Sequence, residues 1–232
     1  MSDGPRQIIV NADDFGRTAA INRGIVRAHT EGIVTSTSLM VRAAHAREAV
    51  ELSRPLTELD VGLHLELTDW AYRDGHWVEV GRIVDLEDCD AVAAAVADQI
   101  DLFIELVGRP PTHLDSHQHV HRNEPLRSIV LEWGERLGVR IRELTPGIHY
   151  CGDFYGQYGG GTTCHELISV DALLRLLNSL PDGVTELSCH PGEWPDPDAD
   201  SYGIERSIEL ATLCDSRVEG VGRGLDDGND IV

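Results

Sequence analysis

The sequence predicts an α/β fold: a distorted (β/α) barrel of about seven mostly parallel strands, in one domain spanning residues 1–232. Two observations carry that prediction. Strand-like and helix-like periodicities alternate along the whole chain. Polar or ionisable residues follow nearly every strand, where a parallel barrel gathers its active site. A third observation narrows it further, because no Gly-x-Gly-x-x-Gly follows the first strand and an open dinucleotide-binding sheet is not indicated.

The elements follow in order. Residues 7–11 read as the first strand. A helix starts near Thr18, with Ile21, Ile25, Val26 and Ala28 on one stripe and Gly32 past its end. Residues 33–41, rich in Thr, Ser and Val, read as a strand, and 44–53 as a helix stopping before Pro55. Residues 60–68 alternate, with Val61, Leu63, Leu65 and Leu67 on one face and Gly62, His64 and Glu66 on the other. Residues 69–85 read as irregular, and a long helix over about 87–107 is closed by Gly108 and Pro110-Pro111. Then come a strand at 112–116, a helix at 124–137 ended by Gly138, and a strand at 139–144. Residues 146–163, with six glycines, read as a long loop whose Tyr150, Phe154, Tyr155 and Tyr158 serve either as a lid with aromatic sugar platforms or as plain surface. Ser169 caps a helix at 170–180. A strand at 184–189, a helix at 204–214 and a last strand at 217–221 complete the series.

Composition limits the chemistry. Forty acidic residues against nineteen basic ones give a formal net charge of −21, which disfavours a nucleic-acid partner. Every basic residue other than histidine is arginine, so Schiff-base, pyridoxal-phosphate and P-loop lysines are excluded. The five cysteines are scattered without a CxxC pair, which fits a reducing cytoplasm better than a disulfide framework. No stretch is long and apolar enough for a membrane span, and the polar start does not read as a signal peptide.

The ionisable residues at strand ends form the candidate site. They are Asp13-Asp14 after the first strand, His64, the run His113 to His121, Arg142, and His190 before Pro191-Gly192. A carboxylate with two imidazoles suits a catalytic divalent metal that keeps water in its open positions. Adjacent aspartates in an extended segment point to opposite sides, which argues against a glycosidase couple and for a division of labour. Either aspartate alone could instead cap the next helix. Taken as extended, 117–121 places His117, His119 and His121 on one side, with Asp115 in the same parity.

Asn11-Ala-Asp-Asp-Phe-Gly16, Gly32-Ile-Val-Thr-Ser-Thr37, Gly62-Leu-His-Leu65, Thr112-His-Leu-Asp-Ser-His117 with His119-Val-His121, and Cys189-His-Pro-Gly192 occur in the order and spacing of a known family. The chain resembles the YdjC-like family, the ChbG-type carbohydrate (chitooligosaccharide) deacetylases, from about residue 7 to residue 213. The resemblance implies a polysaccharide-deacetylase-like barrel and one divalent ion, usually magnesium, with zinc suited to such ligands. It implies Asp14, His64 and His117 as metal ligands, Asp13 as general base and His190 as general acid. Arg142, Asp115 and His119 are expected at the substrate, an N-acetylated sugar losing acetate, with Arg142 alternatively orienting Asp13. The stretch between His64 and Thr112 is shorter than in the chitooligosaccharide enzymes, so the sugar itself stays open. A homodimer also stays open. The competing readings are a metal-dependent hydrolase of another amide or ester, and a non-catalytic sugar-binding relative.

Overall fold

The computed structural model describes residues 6–73, 76–159, 161–196, 198 and 201–226. Its centre is a seven-stranded sheet made of β1 (Gln7–Phe15), β2 (Ser36–Leu39), β3 (Asp60–Leu65), β6 (His113–Ser116), β7 (Arg140–Ile141), β8 (Ile148–Cys151) and β11 (Val184–Cys189). Their spatial order is β7-β6-β3-β2-β1-β11-β8, and each neighbouring pair is parallel. Helices α1 (Ala19–Thr30), α2 (Ala46–Ser53), α3 (Cys89–Val107), α4 (Leu126–Leu137), α5 (Val170–Ser179), α6 (Gly203–Leu213) and α7 (Ser216–Asp226) supply the crossovers and the outer layer. Two small hairpins, β4 (Thr68–Arg73) with β5 (His76–Arg82) and β9 (Gln157–Tyr158) with β10 (Thr162–Thr163), are appended.

The helix ends form where side chains can satisfy free amides. Thr18 accepts from the Ile21 amide at 3.1 Å, Asp88 from Ala91 at 3.0 Å and Ser169 from Ala172 at 3.3 Å. Gly108 and Gly138 close α3 and α4 in the left-handed conformation that glycine adopts freely.

The expected α/β architecture is present, with its sheet curled but not closed. Among the described residues no ladder joins β7 to β8. The Arg142 side chain crosses that seam instead, its guanidinium 5.5 Å from the Tyr150 ring on β8 and bonded to β1 and β11. The outer face of the sheet meets the helices through Val10, Ala12, Leu63, Leu114 and Leu187, all buried in one apolar cluster. The alternate residues Asn11, Asp13, Ser38, His64, Asp115, Glu186 and Ser188 share the inner face and are also buried. The polar side of each strand therefore faces a polar interior rather than water. Gly62 is required here, since a Cβ at that position would fall within 2.3 Å of the His113 ring.

Four expectations need correction. The irregular stretch 69–85 holds the β4–β5 hairpin, and the Asp74-Gly75 dipeptide in the sequence is a strong signal for one. The loop 146–163 contains β8, whose residues Ile148 to Cys151 pair with Val184 to Leu187, and also the β9–β10 hairpin. The expected strand at 217–221 is helical: Asp215 accepts from the Arg217 amide at 2.9 Å, and Val218 is buried. Val218 and Val221 are three apart, a helical interval. The count of seven strands thus holds because one strand was missed and another misplaced. Last, the strand expected over 139–144 is only Arg140–Ile141.

Candidate metal centre

Two departures from regular backbone build the centre. The β1–β2 ladder slips register between Ala12 and Phe15, and Asp14 sits at φ 68°. This bulge replaces the expected opposite orientation of Asp13 and Asp14, and both carboxylates line one cavity of about 710 Å³. The second departure follows β6. Residues His117–Arg122 form a 3-10 turn with Gln118 and His119 in the left-handed region, so the three imidazoles do not share a side. His121 turns inward to Ser116, His119 turns to Tyr150, and His117 alone reaches Asp14.

Asp14, His64 and His117 each present a ligand atom, all within 4.8 Å of one another. His64 Nε2 lies 3.6 Å and His117 Nδ1 3.3 Å from Asp14 Oδ1, and the two rings are edge-on at 5.7 Å. Oδ2 of Asp14 accepts from Arg206 at 2.6 Å, whereas buried Oδ1 accepts no well-aligned hydrogen bond. An orphaned carboxylate oxygen faced by two imidazole nitrogens is what a divalent ion would satisfy, so these residues fit one. Asp13, His64 and Asp115 form a second close group, but Arg142 already neutralises its two carboxylates.

The other predicted residues occupy two levels. Arg142 is 1% exposed and donates to Asp13 through both terminal nitrogens at 2.7 Å, with Nε bonded to Glu186 at 2.6 Å. Asp115 accepts from His64 Nδ1 at 2.8 Å and from Ser38 at 2.6 Å, and lies 2.9 Å from Arg142. Neither residue lines the cavity: Arg142, expected either to hold a substrate group or to orient Asp13, takes the second role, and Asp115 lies beside it below the cavity rather than at its wall. His119 does line it, as does His190, whose Nε2 is 3.8 Å from Asp13 Oδ2. Glu209 accepts from the His190 amide at 2.5 Å. The His190 turn can approach α1 because Gly24 and Gly192 face one another; a Cβ on Gly24 would come within 2.5 Å of Gly192 Cα.

Charge states follow from this packing. Burial alone would raise the Asp13 pKa, but the charge and hydrogen bonds of Arg142 win and hold it below the usual range. For Asp14, burial is opposed by Arg206, His117 and Arg17, and the result lies well below the usual value. Burial disfavours the charged form of His117, yet Asp14 and Asp69 lift its pKa to about 9; Asp115 similarly raises His64. His190 is lowered by burial, only partly offset by Asp13. His119 is driven down to about 3 by burial and Arg142, and burial takes the Tyr150 phenol up to about 12.

Sequence reasoning missed several residues. Asn11 donates to Asp13 at 2.8 Å and to Ser38 at 2.7 Å. Arg206, on α6, holds Asp14; nothing in its local sequence marks it. Asp69, Trp70 and Val80 bring the β4–β5 hairpin to the cavity, and Tyr202, unmarked in the sequence, stacks at 4.4 Å on the loop's Tyr155 beside His190.

Comparison with known proteins identifies the family and the fold. Residues 7–221 match the family described as YdjC-like protein. The chain is 31% identical over 229 residues to a carbohydrate deacetylase of Vibrio parahaemolyticus, covering 89% of this chain and 87% of the relative. It is 33% identical over 210 residues to a chitooligosaccharide deacetylase of Salmonella newport, covering 80% and 81%. Among solved structures, a candidate cellobiose-phosphate cleavage protein from Enterococcus faecalis V583 superposes with TM-score 0.78 at 25% identity over 96% of both chains. A family 4 carbohydrate esterase from Streptomyces lividans, in complex with acetate, shares the fold at TM-score 0.52 and 12% identity, over 94% of this chain and 88% of the other.

Proposed function

The chain belongs to the YdjC-like family of carbohydrate deacetylases, and from that premise we propose that it hydrolyses the acetamide of an N-acetylated sugar, releasing acetate and the free amine. One observation supports this most: the Asp14, His64 and His117 donors converge beside an Asp13 carboxylate clamped in its ionised form. A divalent ion held by those three residues would polarise the acetamide carbonyl and acidify water. Two imidazoles with one carboxylate favour zinc-like ions over magnesium, which prefers an all-oxygen shell.

The protein's own groups divide the proton work. Asp13 Oδ1 accepts from Arg142 and Asn11, and Oδ2 from Arg142, which leaves a lone pair of Oδ2 on the side of His190. That oxygen takes the proton of the attacking water. Held at a low pKa, Asp13 does not keep it. His190 is neutral, stands 3.8 Å away, and carries the proton to the departing nitrogen as the C–N bond breaks. Protonated Tyr150 and neutral His119, 3.2 Å apart, offer uncharged hydrogen-bonding groups to the sugar. Arg142, Asp115 and Asn11 act from below by fixing Asp13 and His64.

The test is acetate release from a panel of N-acetylated mono- and disaccharides, with metal-loaded protein beside an EDTA-treated control. Metal-dependent acetate is the expected result. No acetate from any sugar, with one metal firmly bound, would turn the reading toward an ester or another amide.

A further inference from the structure

The β4–β5 hairpin touches the metal centre as well as walling the cavity. Its ladder pairs Asp69 with Gly81 and Trp70 with Glu79, leaving Val80 as an extra residue. Such a bulge re-aims neighbouring side chains. Here it turns Asp69, Trp70 and Val80 toward the cavity. Asp69 Oδ1 lies 3.3 Å from His117 Nε2, across the ring from the Nδ1 atom that faces Asp14 at 3.3 Å. His64 is arranged in the same way, with Nδ1 on Asp115 at 2.8 Å and Nε2 toward Asp14 at 3.6 Å. Each imidazole thus has a carboxylate behind it and an open nitrogen in front. The hairpin is fastened to the same turn, since Gln118 Nε2 donates to the Trp70 carbonyl at 2.8 Å. Arg17 flanks the pair, its Nη1 3.3 Å from His117 Nε2 and its Nη2 4.0 Å from Asp69 Oδ2; with the Nε2 proton directed to Asp69, Arg17 acts on the carboxylate through its charge and not as a donor to the ring.

We propose that Asp69 is the positioning carboxylate of His117, the counterpart of Asp115 behind His64, and that the hairpin thereby sets how tightly the centre holds its divalent ion. The inference rests on the metal reading above. A carboxylate accepting from one imidazole nitrogen fixes the tautomer that leaves the other nitrogen's lone pair for the ion, and raises its basicity. The two supports differ in kind: Asp115 is fully buried within the sheet, whereas the Asp69 side chain is 44% exposed on an appended hairpin.

Cobalt(II) serves as the probe, since its visible bands report ligand identity independently of turnover. Affinity is measured by chelator competition for the wild type, Asp69→Asn, Asp69→Glu, His117→Ala and the surface control Asp85→Asn. Asp69→Asn is expected to weaken Co²⁺ binding by roughly 10–100-fold with the band positions kept. Asp69→Glu should recover part of the loss, and Asp85→Asn should match the wild type. Because Asp69 is half-exposed, folding is expected to survive; Gln118→Ala, which removes the bond to the Trp70 carbonyl and leaves Asp69 in place, should weaken Co²⁺ in the same direction by less. Affinity of Asp69→Asn within twofold of the wild type overturns this inference and leaves the metal reading standing. Loss as complete as in His117→Ala makes Asp69 a ligand, and also overturns it. A wild type that binds no divalent ion overturns both.

Discussion

The floor and the rim of the cavity are built by different means. On the floor, Asp13, Asp14, His64, Asp115 and Arg142 are each at most 3% exposed and come from strands or strand ends of one sheet. One guanidinium there binds three carboxylates, Asp13, Asp115 and Glu186. On the rim, Trp70 is 39% and Val80 42% exposed, and both come from a hairpin outside that sheet. Burying ion pairs adds little net stability, yet removing one partner leaves an uncompensated charge. The floor is therefore fixed in geometry and intolerant of change, as acid–base chemistry requires. The rim can vary at little cost to the fold, which suits a surface that discriminates among ligands.

The largest expected contrast comes from the floor. Asp13→Asn keeps the shape of the side chain but cannot take a proton, and it leaves Arg142 with one carboxylate fewer. Turnover should fall roughly 10²–10⁴-fold while the metal content stays near that of the wild type. Steady-state kinetics beside metal analysis of the same preparation checks it. Full activity in Asp13→Asn would remove the general-base assignment.

The rim should respond more mildly and in a different parameter. Trp70→Ala removes exposed aromatic surface from the cavity wall, a loss of about 1 kcal/mol of contact, so KM should rise roughly threefold to tenfold. Turnover at saturation should change by less than about twofold. A fall in kcat with unchanged KM would show that the rim takes part in the chemistry, and the contrast would collapse.

The same division explains what could be read from the sequence. His64 sits on a strand whose period-2 pattern is visible in one dimension, Asp13 and Asp115 were legible as polar groups at strand ends, and Asp13 and His64 lie at the cavity as expected. Parity alone could not separate His117, His119 and His121, because the left-handed Gln118 and His119 break the extended run assumed for them; only the family resemblance singled out His117. Asp115 was placed at the right strand end but one layer too high, and Arg142 was left between substrate and Asp13, since sequence does not show which polar group lies above another. The hairpin residues went unread because Asp69 gains its meaning only from a ring 48 positions later. Arg206 was invisible for the same reason, being 192 positions from Asp14.

Glu209 lies where floor and rim meet; its effect on turnover should be the smallest, and its effect on stability the most dependent on pH. It is fully buried on α6, accepting from the His190 amide and from the Tyr202 hydroxyl, each at 2.5 Å. Burial pushes its carboxyl up to about 8, above the ordinary 4.5. A group whose pKa is raised by folding adds stability that is complete below the unfolded value and is lost as pH rises through the folded one. The wild type should therefore lose melting temperature between about pH 5 and 8, at 2–4 °C for each kcal/mol. Glu209→Gln cannot ionise, and its amide turns a donor toward one of the two existing donors. It should melt lower at pH 5 but decline less with pH, so that the two curves converge toward pH 9. Parallel curves would mean that Glu209 is ionised throughout and that another group carries the slope. Because the same carboxyl holds the His190 backbone and the tyrosine stacked under Tyr155, convergence in stability with a persistent deficit in kcat would show that the rim aromatics and His190 are held as one unit.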